Sequence, residues 1–137
     1  MDQNNRGAQW PCKLGLDAAL AHLKHAAVDH ILCAGDLVDF GDHGDGVVQR
    51  IRDAGIPCVQ GNHDRAASEK KRYRQHIRRR DNTPIKLLTE PTLAYLDTLP
   101  RQLHFTWADK TVLLTHAAPW PGDKYIYPES TQALFKR

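Results

Sequence analysis

The stretch that decides the fold is residues 54–65, "AGIPCVQGNHDR", and within it the four residues Gly61-Asn62-His63-Asp64. Residues 56–60, "IPCVQ", read as a short strand buried on both faces, with Pro57 tolerated near its start. An amide, an imidazole and a carboxylate then follow at once. The same placement occurs twice more. The apolar run 31–34, "ILCA", is followed by "GDLVDFGDH" (35–43), and the apolar run 111–114 is followed by Thr115-His116. All three polar clusters therefore lie at the carboxyl end of an expected strand. In an open α/β sheet those ends line one crevice, where ligands bind. Asp36, Asn62, His63 and His116, far apart in sequence, are expected to converge there.

The rest of the chain supports this reading. Residues 14–27 place Leu16, Leu20, Leu23 and Ala27 on one helical stripe. Residues 46–55, "GVVQRIRDAG", read as a second helix stopped by Gly55. Residues 65–80 read as a basic helix, and 90–100, "EPTLAYLDTLP", as a short one with Pro91 in its first turn and Pro100 past its end. "QLHFTW" and "TVLLTH" form a hairpin around a three-residue turn, 108–110. The tail is a Pro-rich loop leading toward a helix. Strands alternating with helices predict parallel βαβ units. An α/β chain normally also starts with a strand, and the first thirteen residues supply none.

Composition sets the outer bounds. A chain of 137 residues, 41% hydrophobic and 26% charged, is expected to be one soluble globular domain, residues 1–137. No apolar run approaches the roughly 18 residues that span a membrane, and the N-terminus shows no signal-peptide core. The three cysteines show no paired spacing. Cys33 and Cys58 lie in apolar runs and read as buried thiols, which predicts a cytoplasmic protein. The net charge of +3 hides a local excess: residues 65–80 hold eight Lys or Arg against one Glu. Tyr73 is the only aromatic there, so the segment reads as a solvated helix face without a base-stacking platform. Nucleic acid is not the expected partner. Trp10 and Trp107 read as packing residues, whereas Trp120, on the loop after His116, reads as a residue of the substrate entrance.

Each candidate residue, taken singly, has an ordinary explanation. Gly-Asp or Gly-Asn after a strand is turn chemistry, and a strand-end histidine is commonly a packing residue. His22, His25, His30, His43, His76 and His104 show no ligand spacing. The joint pattern says more. A carboxylate, an amide oxygen and an imidazole make a mixed ligand set suited to Mn²⁺, Fe²⁺ or Zn²⁺. A carboxylate can also bridge two cations about 3.5–4 Å apart, as in many phosphatases and nucleases. Asp64 is placed to orient His63.

"CAGDLVDFG" (33–41), "VQGNHD" (59–64) and "VLLTHAAP" (112–119) resemble three of the five blocks of the calcineurin-like metallophosphoesterases. Those blocks run D-x-H, G-D-x-x-D, G-N-H-D/E, a histidine block, then G-H-x-H. The resemblance extends from about Leu14 to Pro128 and includes "LAYLDTLP" (93–100) and "IYP" (126–128). It implies an α/β sandwich in α/β/β/α layers. It also implies two divalent-metal sites (Mn, Fe, Zn or Ni) and hydrolysis of a phosphate-ester substrate. By this resemblance Asp36 bridges both metals, and Asn62 and His116 ligate the second. His63 contacts the phosphate and either protonates the leaving oxygen or stabilises the transition state, Asp64 orients His63, and Asp39 supports the ligands from behind.

The first and last blocks have no match. Where the family's spacing places D-x-H, residues 8–10 read "AQW", and no G-H-x-H follows His116. The expectation is a partial sandwich lacking terminal strands, with one partial metal site and an oligomer completing the sheet or the site. Three functions follow from these residues. The first is a metal-dependent phosphoesterase or its remnant. The second is a metal- or phosphate-binding module without turnover. The third, placed last, is nucleic-acid binding through 65–80.

Overall fold

The computed structural model describes residues 13–39, 43–69, 88–120 and 124–127. They contain helices α1 (Lys13–His25), α2 (Gly44–Asp53), α3 (Asn62–Glu69) and α4 (Glu90–Thr98), then strands β1 (Gln102–Trp107) and β2 (Lys110–Thr115). This is a mixed α/β arrangement, as expected, and among the described residues its one regular sheet is the antiparallel β1–β2 pair.

The two expected buried strands, 31–34 and 56–60, are shorter than the sequence suggests. They meet at a single parallel bridge, Cys33 opposite Cys58. The Cys33 amide donates to Pro57 O at 2.9 Å, and the Val59 amide donates to Cys33 O at 3.1 Å. The parallel direction agrees with a βαβ unit in which α2 is the crossover. The ladder stops because Pro57 has no N–H to give residue 31 and the Gly61 N–H goes to Asp64 Oδ2 at 2.9 Å. On the outer edges, the Gln60 amide donates to Pro100 O at 2.8 Å, and Ala34 O accepts a histidine side chain at 2.7 Å. Gly35, at φ +90°, then turns the chain away.

Apolar spacing explains the helices. α2 turns Val47, Val48 and Ile51 inward, where they are almost fully buried. They pack with Leu37, Val38, Ile56, Cys58, Ala67, Leu93, Leu96 and Leu99 in one core. α1 adds Leu16 and Leu20 from the outside and buries no residue completely. Ala27 is not part of its stripe: it stands past the helix end at φ 50° and is exposed. α1 is tied to α2 by Arg50 Nε, which donates to Asp17 Oδ1 at 2.8 Å. α4 carries Pro91 in its first turn and ends before Pro100, as read from the sequence. Its start is joined to α2 by Asp45 Oδ1, which accepts from both the amide and the hydroxyl of Thr89.

Two boundaries differ from expectation. The helix expected from residue 65 begins at Asn62, inside the polar motif, and the basic residues beyond 69 lie outside the described residues, as do Trp10 and the expected helix in the tail. The hairpin turn has two residues, Ala108 and Asp109, both at positive φ (47° and 61°). That is the backbone of a type I′ turn, whose twist suits the flanking strands. At the far end of β1, Trp107 stacks on His30 with ring centroids 4.7 Å apart, which makes both of them packing residues.

Gly35 and Gly61 are the tightest points of the backbone. A Cβ on Gly35 would lie 2.5 Å from the Gly61 amide nitrogen and 2.6 Å from Val59 O, and one on Gly61 would collide with the Asp36 carboxylate. Left-handed backbone and backbone collision together predict that Gly35→Ala costs about 3 kcal/mol or more, read as a lower midpoint in urea unfolding.

Candidate active site

The loops after the two bridge segments are held together by one side chain. Asp64, in the first turn of α3, is fully buried. Its Oδ2 accepts the amide N–H groups of Asp36 (2.8 Å) and Gly61 (2.9 Å), and its Oδ1 accepts that of Leu37 (2.8 Å). Burial pushes its carboxyl up from the ordinary value, against the pull of the three amide donors. The resemblance set Asp64 against His63. Its hydrogen bonds go instead to the backbone of both loops.

The carboxylate on His63 belongs to Asp39. His63 Nδ1 lies 3.1 Å from Asp39 Oδ2, and both side chains are about one-third exposed. The His63 backbone amide donates to Asp36 Oδ1 at 3.0 Å. Asp36 and Asp39 adopt positive φ, 59° and 84°, a costly conformation for residues other than glycine. Both strained residues are candidate site residues, and Asp64 and its neighbours hold that loop in place.

His116, just past β2, completes the cluster. Its Nδ1 lies 2.7 Å from Ala34 O. A carbonyl only accepts, so Nδ1 carries the proton and Nε2 is turned toward the site. Nε2 is 3.0 Å from Asn62 Oδ1 and 3.4 Å from Asp36 Oδ2. Three donor atoms of the types named from sequence, two oxygens and one nitrogen, therefore meet from three separate segments. An imidazole fixed by a carbonyl on its other nitrogen is a usual arrangement behind a metal ligand. Among the described residues no three His, Cys, Asp or Glu side chains gather as a metal cage. Here the third donor is an amide, so the set fits one divalent cation.

Tyr125 is the residue that sequence reasoning missed. Its hydroxyl donates to Asn62 Oδ1 at 2.7 Å, and its ring meets that of His116 edge-on at 6.4 Å. Nothing in the loop spacing marks it, because the Ala118 amide bonds Lys124 O and folds the segment back over the site. Trp120, expected from the sequence at the substrate entrance, lines a cavity of about 400 Å³ beside Asn62 and His116.

Removing the Asp64 carboxylate leaves three backbone donors without their acceptor. Asp64→Ala should cost about 3 kcal/mol or more in equilibrium unfolding, and Asp64→Asn, which keeps one oxygen, clearly less.

Residues 13–137 match the model of the calcineurin-like phosphoesterase superfamily domain. An uncharacterized protein of Methanocaldococcus jannaschii is 28% identical over 126 residues, which cover 88% of this chain and 51% of that protein. The crystal structure of a metallophosphoesterase from Sphaerobacter thermophilus aligns with a TM-score of 0.55 and 29% identity, over 82% of this chain and 47% of that one. The chain thus spans about half the length of these two relatives. The match over nearly all of the chain, on a fold with these strand-end clusters, means that it belongs to the calcineurin-like phosphoesterase superfamily.

Proposed function

We propose that the protein hydrolyses phosphate esters with a divalent cation held by Asp36, Asn62 and His116. The observation that carries this reading is the meeting of Asn62 Oδ1, His116 Nε2 and the Asp36 carboxylate beside the His63–Asp39 pair. A bound cation would supply Lewis-acid neutralisation of the phosphoryl charge and an activated water. The chain's own groups do the rest. His63 donates a proton to the leaving oxygen through Nε2, while Asp39 at Nδ1 fixes the ring. The bond from the His63 amide to Asp36 couples the proton donor to the ligand loop. Asp64 serves as the clamp that makes both loops one rigid unit.

The family binds two cations in general, and the described residues supply donors for one. Donors for a second would come from outside them, a second copy of the chain included. This favours a second reading, a metal- or phosphate-binding module without turnover. The free cysteines fit a reducing, cytoplasmic setting, and no helix of the described residues is long and apolar enough to cross a membrane.

With Mn²⁺ and a chromogenic phosphodiester, wild-type turnover should fall at least 100-fold in His63→Ala and in Asn62→Ala. Asn62→Ala should also lose Mn²⁺ binding in calorimetry, whereas His63→Ala should keep it. Turnover equal in wild type and His63→Ala overturns the hydrolase reading. Mn²⁺ binding without turnover supports the binding module. Tyr125→Phe removes the hydroxyl that orients Asn62 and should weaken Mn²⁺ binding about tenfold with little change in the unfolding midpoint.

A further inference from the structure

The cavity beside the cluster is built from both sides of the proposed cation site. Asn62 and His116 line it, and each brings an arginine with it. Arg65 follows Asn62 by three residues on α3, so the two share a helix face. Gln102 pairs with Thr115 in the hairpin register, so Arg101 stands one position further along, level with His116. Both arginines line the cavity, and no carboxylate does among the described residues. Arg65 Nε has the exposed Glu69 at a loose 3.8 Å. The lining also includes the ring of Trp120, whose indole N–H is turned away from the open cavity and buried in the protein. Asp36 and His63 are not part of the lining.

This division has a chemical meaning. The leaving group of an in-line displacement must lie on the side of the proton donor, His63. A pocket that shares two cation ligands, excludes His63 and carries two guanidinium groups suits the part of the substrate that stays on phosphorus. Resting on the function proposed above, we infer that this cavity is a subsite for a second phosphoryl group, held by Arg65 and Arg101. The substrate is then a phosphate compound with a second negatively charged phosphoryl group on its retained side. A simple monoester leaves the subsite empty. Guanidinium groups suit this task because they meet phosphoryl oxygens with two parallel donors.

The test compares two probes on the Mn²⁺-loaded full chain by calorimetry: inorganic orthophosphate and methylenediphosphonate, which carries two phosphoryl groups and resists hydrolysis. Wild-type protein should bind the diphosphonate at least tenfold more tightly. In the double variant Arg65→Gln/Arg101→Gln that ratio should drop at least tenfold. The Arg65→Lys/Arg101→Lys variant, which keeps the charges, should retain more of it. A ratio unchanged in the Gln double variant, folded by circular dichroism, overturns the subsite, because the preference would then come from the cation alone. A wild-type ratio near one overturns it as well. Loss of the parent reading looks different: orthophosphate would then bind equally to wild type and Asn62→Ala.

Discussion

Asp64 is the constraint on which the rest depends. One buried carboxylate gathers the amides of Asp36, Leu37 and Gly61, and so fastens the loop after the first bridge segment to the start of α3. Everything chemical hangs from that clamp. The Asp36 carboxylate can face His116 because its own amide is held behind it. Asn62 and His63 project from a helix whose first turn contains the clamp. The glycines at 35 and 61 are the steric counterpart, since the two backbones approach too closely there for any side chain. A motif that reads as three functional side chains in a row is also a structural joint, with one of its members spent on holding the other two in place.

The hairpin makes the second joint. His116 donates to Ala34 O through Nδ1 and turns the lone pair of Nε2 toward the oxygens of Asn62 and Asp36. The imidazole is thus the bracket between the antiparallel β1–β2 pair and the parallel segments, and no backbone hydrogen bond to Ala34 O is needed there. Its fixed tautomer follows from that bracket. Packing stability and ligand chemistry are served by the same atoms, as they are at Asp64.

Much of this was legible in the sequence, for definite reasons. Periodicity located α2 through Val47, Val48 and Ile51, and proline placement located α4. The strand-end positions of Asp36, Asn62 and His116 told that they converge, because a parallel α/β arrangement brings those ends to one edge. What was not legible depends on tertiary bonds. The ladder at Cys33 and Cys58 ends after one bridge because Pro57 has no N–H to give and the Asp64 carboxylate takes that of Gly61, a capture that residues 31–34 and 56–60 do not announce. The exchange of roles between Asp64 and Asp39 is of the same kind: both acids are in the motif, and only the fold decides which one meets the imidazole. Tyr125 carries no local signal, since its place at Asn62 is set by a chain reversal.

The spacing of these contacts along the chain has a thermodynamic consequence. The bond from His116 to Ala34 closes a loop of 82 residues, and the approach of His116 to Asn62 one of 54. An unfolded chain therefore presents no preformed cage, and a cation that uses all three donors meets them together only after the long-range closures are made. Such closures come late in folding, because their entropy is lost before any contact repays it. Binding is then linked to the native state alone, and occupancy at a hundred times the dissociation constant adds about 2.7 kcal/mol to its stability. For a domain of this size that is a sizeable share of the roughly 5–15 kcal/mol that separates folded from unfolded. A bound metal would thus show itself first as resistance to unfolding, and only then as chemistry.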